Sequence, residues 1–165
     1  RERLSLSALI TEVVEVQRYE AQQKEQTVTL SLPDEPVYIF ADRKRFVQIM
    51  TNLIVNAINY TPRGGKIDVT LAVEPAPGGS FAVVRVKDTG IGIAPENLEQ
   101  IFQPFYRVSQ ETPGSGLGLS IVKEILDHHG GSIDVQSAPG EGSTFTVRIA
   151  TLPPEIETAE KQASA

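Results

Sequence analysis

Hydrophobic positions along the chain switch between a three-to-four-residue spacing and a two-residue spacing, and the switches mark its elements. Leu6, Leu9, Ile10, Val13 and Val14 keep helical spacing from a Ser5 or Ser7 cap, predicting an amphipathic first helix that fades into polar sequence near Glu25. Thr27 to Leu32 alternates as a half-buried strand, and Pro33-Asp34-Glu35-Pro36 turns it into a short strand, Val37 to Phe40. Asp42 then caps a helix that runs to Tyr60. Lys66 to Glu74 and Phe81 to Lys87 read as a hairpin around Pro75-Ala76-Pro77-Gly78-Gly79. Pro95 opens a short helix to Ile101, a stretch without period follows, and helical spacing returns from Leu117 to His129. Gly130-Gly131 ends that helix, and Ser132 to Gln136 with Ser143 to Ile149 form a last hairpin. This order predicts an α+β fold: a two-layer sandwich with a mixed, mostly antiparallel sheet and helices on one face.

The helix ending at Tyr60 carries two stripes that need different neighbours. Phe46, Ile49, Met50, Leu53 and Ala57 line an apolar face, whereas Gln48, Asn52, Asn56 and Asn59 line a separate polar one. Asn competes for nearby backbone groups and is a mediocre helix former, so a row of carboxamides costs propensity that Ala or Lys would not. A carboxamide offers a neutral oxygen to a hard cation and an N–H to an anion, which suits a metal-bound phosphate. A solvated polar face is the alternative.

Composition narrows the classes. With 165 residues, 40% hydrophobic and 22% charged, the chain suits one globular domain with a real core. A net charge of −6 makes it a poor non-specific binder of nucleic acid, so any phosphate it holds must be gripped locally. With no cysteine, neither a disulfide framework nor a thiolate metal site is available. No apolar run approaches a membrane span, and the first residues do not resemble a signal peptide. The chain starts without Met in charged helical sequence, as a piece of something longer would. From Pro153 onward it is rich in Pro, Glu and Ala, which predicts a disordered tail or linker.

Three further stretches carry candidate chemistry. Asp88-Thr89-Gly90-Ile91-Gly92-Ile93 follows a strand; its glycines let backbone approach a ligand, and Asp88 could accept from a ligand amino group or merely form a turn. Gly114-Ser115-Gly116-Leu117-Gly118 opens the last helix, where backbone N–H groups form an anion site. Glycine there costs about 1 kcal/mol per residue against Ala, so a purely structural account has something to explain. Ile101-Phe102-Gln103-Pro104-Phe105-Tyr106-Arg107 reads as an aromatic knot beside an Arg that could face a phosphate.

In this order, the four stretches resemble the ATP-binding catalytic domain of sensor histidine kinases, within the group shared with gyrase-type ATPases. Asn52 to Ala57 is similar to the family's asparagine box, Asp88 to Gly92 to its first glycine box, Phe102 to Phe105 to its phenylalanine box, and Gly114 to Gly118 to its second glycine box. The resemblance implies a Bergerat-type catalytic domain over residues 1–152, with 1–6 as the end of a preceding dimerisation helix and 153–165 as tail. It implies ATP and Mg2+ lying between the asparagine helix and a lid at Val108 to Ser115. Asp88 would hold the adenine amino group in a pocket lined by Gly90, Gly92 and Ile93, and Tyr60 would pack on the base. Asn56 would coordinate magnesium with Asn52 beside it, Arg107 would reach the transferred phosphate, and Gly114, Ser115, Gly116, Leu117 and Gly118 would supply phosphate-binding backbone. Asn56 and Arg107 are thus the implied catalytic residues.

Two features depart from the family. Asn59 stands where many members carry Lys or Arg, which leaves Arg107 or Lys66 to counter that phosphate charge. Neither His128 nor His129 has the acidic neighbour of a phosphoacceptor; at a helix C-terminus a partly cationic imidazole is favoured instead. The implied partners are a histidine-bearing dimerisation domain of the same parent, which would also supply the general base, and a response-regulator receiver domain. No nucleic acid and no direct membrane contact is expected. The domain would be a cytoplasmic monomer, whether or not its parent is membrane-anchored. A degenerate nucleotide-binding regulatory module and a gyrase-like ATPase are the alternatives, the latter weakened by the lack of a water-activating Glu on the asparagine helix.

Overall fold

Two spacings in the sequence become two layers in the computed structural model, which describes residues 1–107 and 118–153. In chain order the elements are β1 (Glu2–Ser5), α1 (Leu6–Gln23), β2 (Thr27–Ser31), β3 (Tyr38–Ala41), α2 (Arg43–Tyr60), β4 (Lys66–Ala76), β5 (Gly79–Asp88), α3 (Pro95–Leu98), α4 (Gly118–His128), β6 (Ser132–Ser137) and β7 (Ser143–Ala150). The main sheet has the order β2-β4-β5-β7-β6, antiparallel except for the parallel pair β2 and β4. This is the α+β, mixed and mostly antiparallel arrangement that the sequence predicts. Alternation buries Ile67, Val69 and Leu71 of β4, Ala82, Val84 and Val86 of β5, and Phe145, Val147 and Ile149 of β7 on one face.

Helices cover that face because their apolar stripes have nowhere else to go. Phe46, Ile49, Met50, Leu53 and Ala57 of α2 are all buried, and α2 packs against both α1 and α4. Side-chain caps fix where two helices start. Ser5 Oγ accepts from the Ala8 N–H at 3.1 Å, and Asp42 Oδ1 from the Arg45 N–H at 3.3 Å.

Four expectations change. Residues 2–5, expected as the end of a helix, form a strand in which Leu4 is buried opposite Ile39 of β3. Arg3 lies over the Tyr38 ring at 3.8 Å, an added cation–π contact. As a result β3 belongs to a separate two-stranded sheet, and β2 is parallel to β4 instead of turning back on β3. The β4–β5 hairpin is longer than its prolines suggest, with Pro75 opposite Ser80. Proline is tolerated there because β2 covers β4 only as far as Thr70, so Pro75 needs no N–H on that side. Lastly, α3 stops at Leu98 and gives way to turns before Ile101. The tail expected over 153–165 lies, from residue 154 on, outside the described residues.

Candidate functional site

The carboxamide stripe is half-buried rather than fully exposed. Asn52, Asn56 and Asn59 are each half-buried, as is Tyr60 at the end of α2. Asn52 Nδ2 donates to the Gly118 carbonyl at 3.2 Å, which ties α2 to the first residue of α4. The side chains of Asn56 and Asn59 have no hydrogen-bond partner among the described residues. Neither amide is committed to a bond within the described fold, so both have hydrogen-bonding capacity to offer a ligand.

Asp88 continues the core-facing parity of Ala82, Val84 and Val86, so β5 carries a carboxyl to the rim of the apolar layer. It is 5% exposed. Its Oδ1 accepts from the Gly90 N–H at 2.8 Å and from the Ser143 N–H at 3.2 Å. Both bonds end on one oxygen, which leaves Oδ2 for a ligand. Burial raises the carboxyl pKa above its ordinary value, and the two N–H donors pull it back down.

Backbone contacts join this carboxyl to the asparagine helix. The Ile91 N–H donates to the Tyr60 carbonyl at 3.2 Å, and a Cβ at Gly90 would run into that same carbonyl. Gly92, with φ of 73°, lies against the Ala138 carbonyl, where any side chain would collide. Ile93 is buried, and its N–H donates to Ser137 Oγ at 2.8 Å. Asp88, Ser137 and Ser143 border a cavity of about 290 Å³ at the end of the sheet, and the carboxamides are not among its lining residues.

Several supporting residues escape a motif-based reading. Lys24 Nζ donates to the Ile58 carbonyl at 2.8 Å, while Gln26 Nε2 donates to the Ile58 and Thr61 carbonyls at 3.1 and 2.8 Å. Together they cap the end of α2 that carries Asn59 and Tyr60. His129 holds the other end: its Nε2 accepts from the Asp42 N–H at 3.2 Å and its Nδ1 faces the Ile125 carbonyl at 2.8 Å. With Nε2 accepting from Asp42 and Nδ1 against the Ile125 carbonyl, this imidazole ties the end of α4 to the start of α2. Ser137 and Ser143 also escape a motif-based reading: they stand at the last residue of β6 and the first of β7.

The remaining predicted residues divide. Gly114, Ser115, Gly116, Leu117 and the lid at 108–115 lie outside the described residues. Gly118 opens α4 with room for a Cβ, 3.8 Å from the Asn52 side chain, so crowding does not explain that glycine. Phe102 and Tyr106 pack on the core, and Tyr106 Oη donates to Asn97 Oδ1 at 2.7 Å. Phe105 does not join the knot, being 71% exposed at a φ of 67°. Arg107 is half-buried where the described segment ends.

A family model described as histidine kinase-, DNA gyrase B- and HSP90-like ATPase matches residues 41–153, which contain every site residue expected from the sequence. The chain belongs to this family. The sensor histidine kinase RppB of Synechocystis is 44% identical over 117 residues, covering 68% of this chain and 25% of RppB. The sensor histidine kinase WalK of Bacillus subtilis is 38% identical over 132 residues, 76% of this chain and 21% of WalK. The chain thus spans about a quarter or less of these two relatives. Among solved structures, the catalytic domain of histidine kinase ThkA superposes with a TM-score of 0.78 at 32% identity, covering 90% of this chain and 93% of that one. Full-length ShkA in complex with AMPPNP gives a TM-score of 0.78 at 30% identity, covering 91% and 31%. This is therefore a histidine kinase-type ATP-binding domain. No helix among its described residues is long and apolar enough to cross a membrane.

Proposed function

We propose that this domain binds Mg-ATP between α2 and the end of β5 and donates the γ-phosphoryl group to a histidine on a dimerisation domain of the same parent protein. The phosphoryl group would then pass to a response-regulator receiver domain, in the cytoplasm. The observation that carries this reading is the junction through the Tyr60 carbonyl, which brings two unpartnered carboxamides and one buried carboxyl to the same end of the sandwich. The names of the relatives and the AMPPNP held by ShkA support it.

Asp88 Oδ2 accepts from the adenine amino group, and Tyr60, Gly90, Gly92 and Ile93 surround the base. Asn56 would hold magnesium through its carboxamide oxygen. The fit rests on that half-buried, unpartnered amide, and among the described residues no cluster of His, Cys, Asp or Glu could hold a metal alone. A magnesium ion held there would supply charge neutralisation of the phosphates. Asn52 and Asn59 order the triphosphate with the backbone at Gly114 to Gly118, and Arg107 reaches the transferred phosphoryl group. The histidine nitrogen forms the new bond to phosphorus as the bond to the ADP oxygen breaks. Because that transfer is loose, the site needs to position and neutralise, which amides, glycines and one Arg do.

The test is a calorimetric titration with AMPPNP, with and without magnesium, on the domain and on its Asp88→Asn and Asn56→Asp variants. Affinity is expected to fall about tenfold or more in Asp88→Asn, to depend on magnesium in the parent, and to change its magnesium dependence in Asn56→Asp. Undiminished binding by Asp88→Asn would sink the adenine assignment, and magnesium-independent binding by the parent would sink the role of Asn56.

A further inference from the structure

Three strands end side by side on the helix-facing side of the sheet with Asp88, Ser143 and Ser137, in the register Asp88 opposite Ser143 and Ser143 opposite Ser137. Ser137 has three partners. The Ile93 N–H donates to its Oγ at 2.8 Å, the Gly142 carbonyl lies 2.8 Å from it, and Ser143 Oγ lies 2.8 Å from it. A hydroxyl has one proton and two lone pairs, so this site uses its whole capacity. A carbonyl only accepts, so the Ser137 proton lies on Gly142. An N–H only donates, so Ile93 takes one lone pair. The contact with Ser143 then requires the proton of Ser143. That serine, 8% exposed and with its own N–H on Asp88, has nothing left to donate.

We infer that Ser137 is a positioning residue that sets base preference: by taking the Ser143 proton, it leaves only acceptors beside Asp88 and favours a 6-amino purine over a 6-keto purine. The inference rests on the nucleotide reading above. An amino group donates to such a row, whereas a 6-keto oxygen would meet lone pairs with no proton between. A buried site built to receive a donor rejects the analogue lacking it, because its acceptors are then left unpaired. With Ser137 replaced by Ala, the Ser143 hydroxyl is free to rotate and donate to the keto oxygen.

The experiment compares ADP with IDP by calorimetry, which avoids turnover. The parent should prefer ADP, and Ser137→Ala should narrow the ADP-to-IDP affinity ratio by about tenfold. Ser137→Thr, which keeps the hydroxyl, should restore the parental ratio. In a Ser143→Ala background, adding Ser137→Ala should leave the ratio where it was, because the effect runs through the Ser143 hydroxyl. Equal weakening of both nucleotides by Ser137→Ala, or a ratio shift that persists without the Ser143 hydroxyl, overturns the inference. Should Ser137→Ala not fold, Ser143→Ala keeps its backbone bond to Asp88 and must itself narrow the ratio. Asp88→Asn, run alongside, separates the two claims. Undiminished ADP binding there rejects the nucleotide reading, while lost binding there with an unchanged ratio in Ser137→Ala rejects the role of Ser137 alone.

Discussion

Asp88 sits on a parity that otherwise holds only apolar side chains, and its titration reports the cost. The folded chain holds this proton more tightly than an unfolded carboxyl with its ordinary pKa of 3.8, because burial outweighs the hydrogen bonds from Gly90 and Ser143. Below the ordinary value both states are protonated and the group costs nothing. Above the raised value both are ionised, and the fold carries the full penalty of a buried charge, so this group's contribution worsens as pH rises through that window. Asp88→Asn removes the charge and keeps an oxygen for both N–H donors. It is expected to melt no lower than the parent at neutral pH, with any advantage vanishing in acid, and a series of Tm values against pH measures it. Lower stability at neutral pH would mean that the ionised carboxyl is a structural bond. The sequence betrayed Asp88 through its parity and its glycines, whereas Ser137 gave no such signal. Its importance lies in three partners from two other segments of the chain, and no spacing rule encodes those.

Among the elements, α2 is the one held at both ends. His129 anchors its start at the Asp42 N–H and packs edge-on against Phe46, with ring centroids 5.3 Å apart. Lys24 and Gln26 cap its end. Gln26 is 6% exposed, and its Oε1, like Thr61 Oγ1, is buried without a partner among the described residues. Gln26→Ala would strip the Thr61 carbonyl of its donor while Lys24 still serves Ile58. The expected loss is about 1–3 kcal/mol in urea unfolding. Nucleotide affinity should fall with it, since Asn59 and Tyr60 occupy the turn that is released. Weaker folding with unchanged AMPPNP affinity would confine Gln26 to a structural role. Helix limits and apolar stripes were legible because capping and periodicity are local, and they placed α2 to within two residues. The partners of β1 and β3 were not, because a short strand states its alternation without naming its neighbour.

For the molecule as a whole, the chain spans 25% of RppB and 21% of WalK, and the proposed transfer needs an acceptor histidine supplied by another domain. Mixing this domain with its separately expressed histidine-bearing domain and labelled ATP is expected to yield an acid-labile phosphate. No transfer at high concentrations of both would favour a degenerate binding module, and steady phosphate release by this domain alone would favour hydrolysis. Sequence was enough for the two-layer class, the helices, the core stripe of α2 and the order of the boxes, because those follow from side-chain period and short-range capping. Tertiary structure alone decided that β2 runs parallel to β4, that Gly90 and Gly92 press against the Tyr60 and Ala138 carbonyls, and that one serine hydroxyl joins the Ile93 and Gly142 segments. Those contacts depend on where distant segments meet, and that is settled by packing the whole core at once.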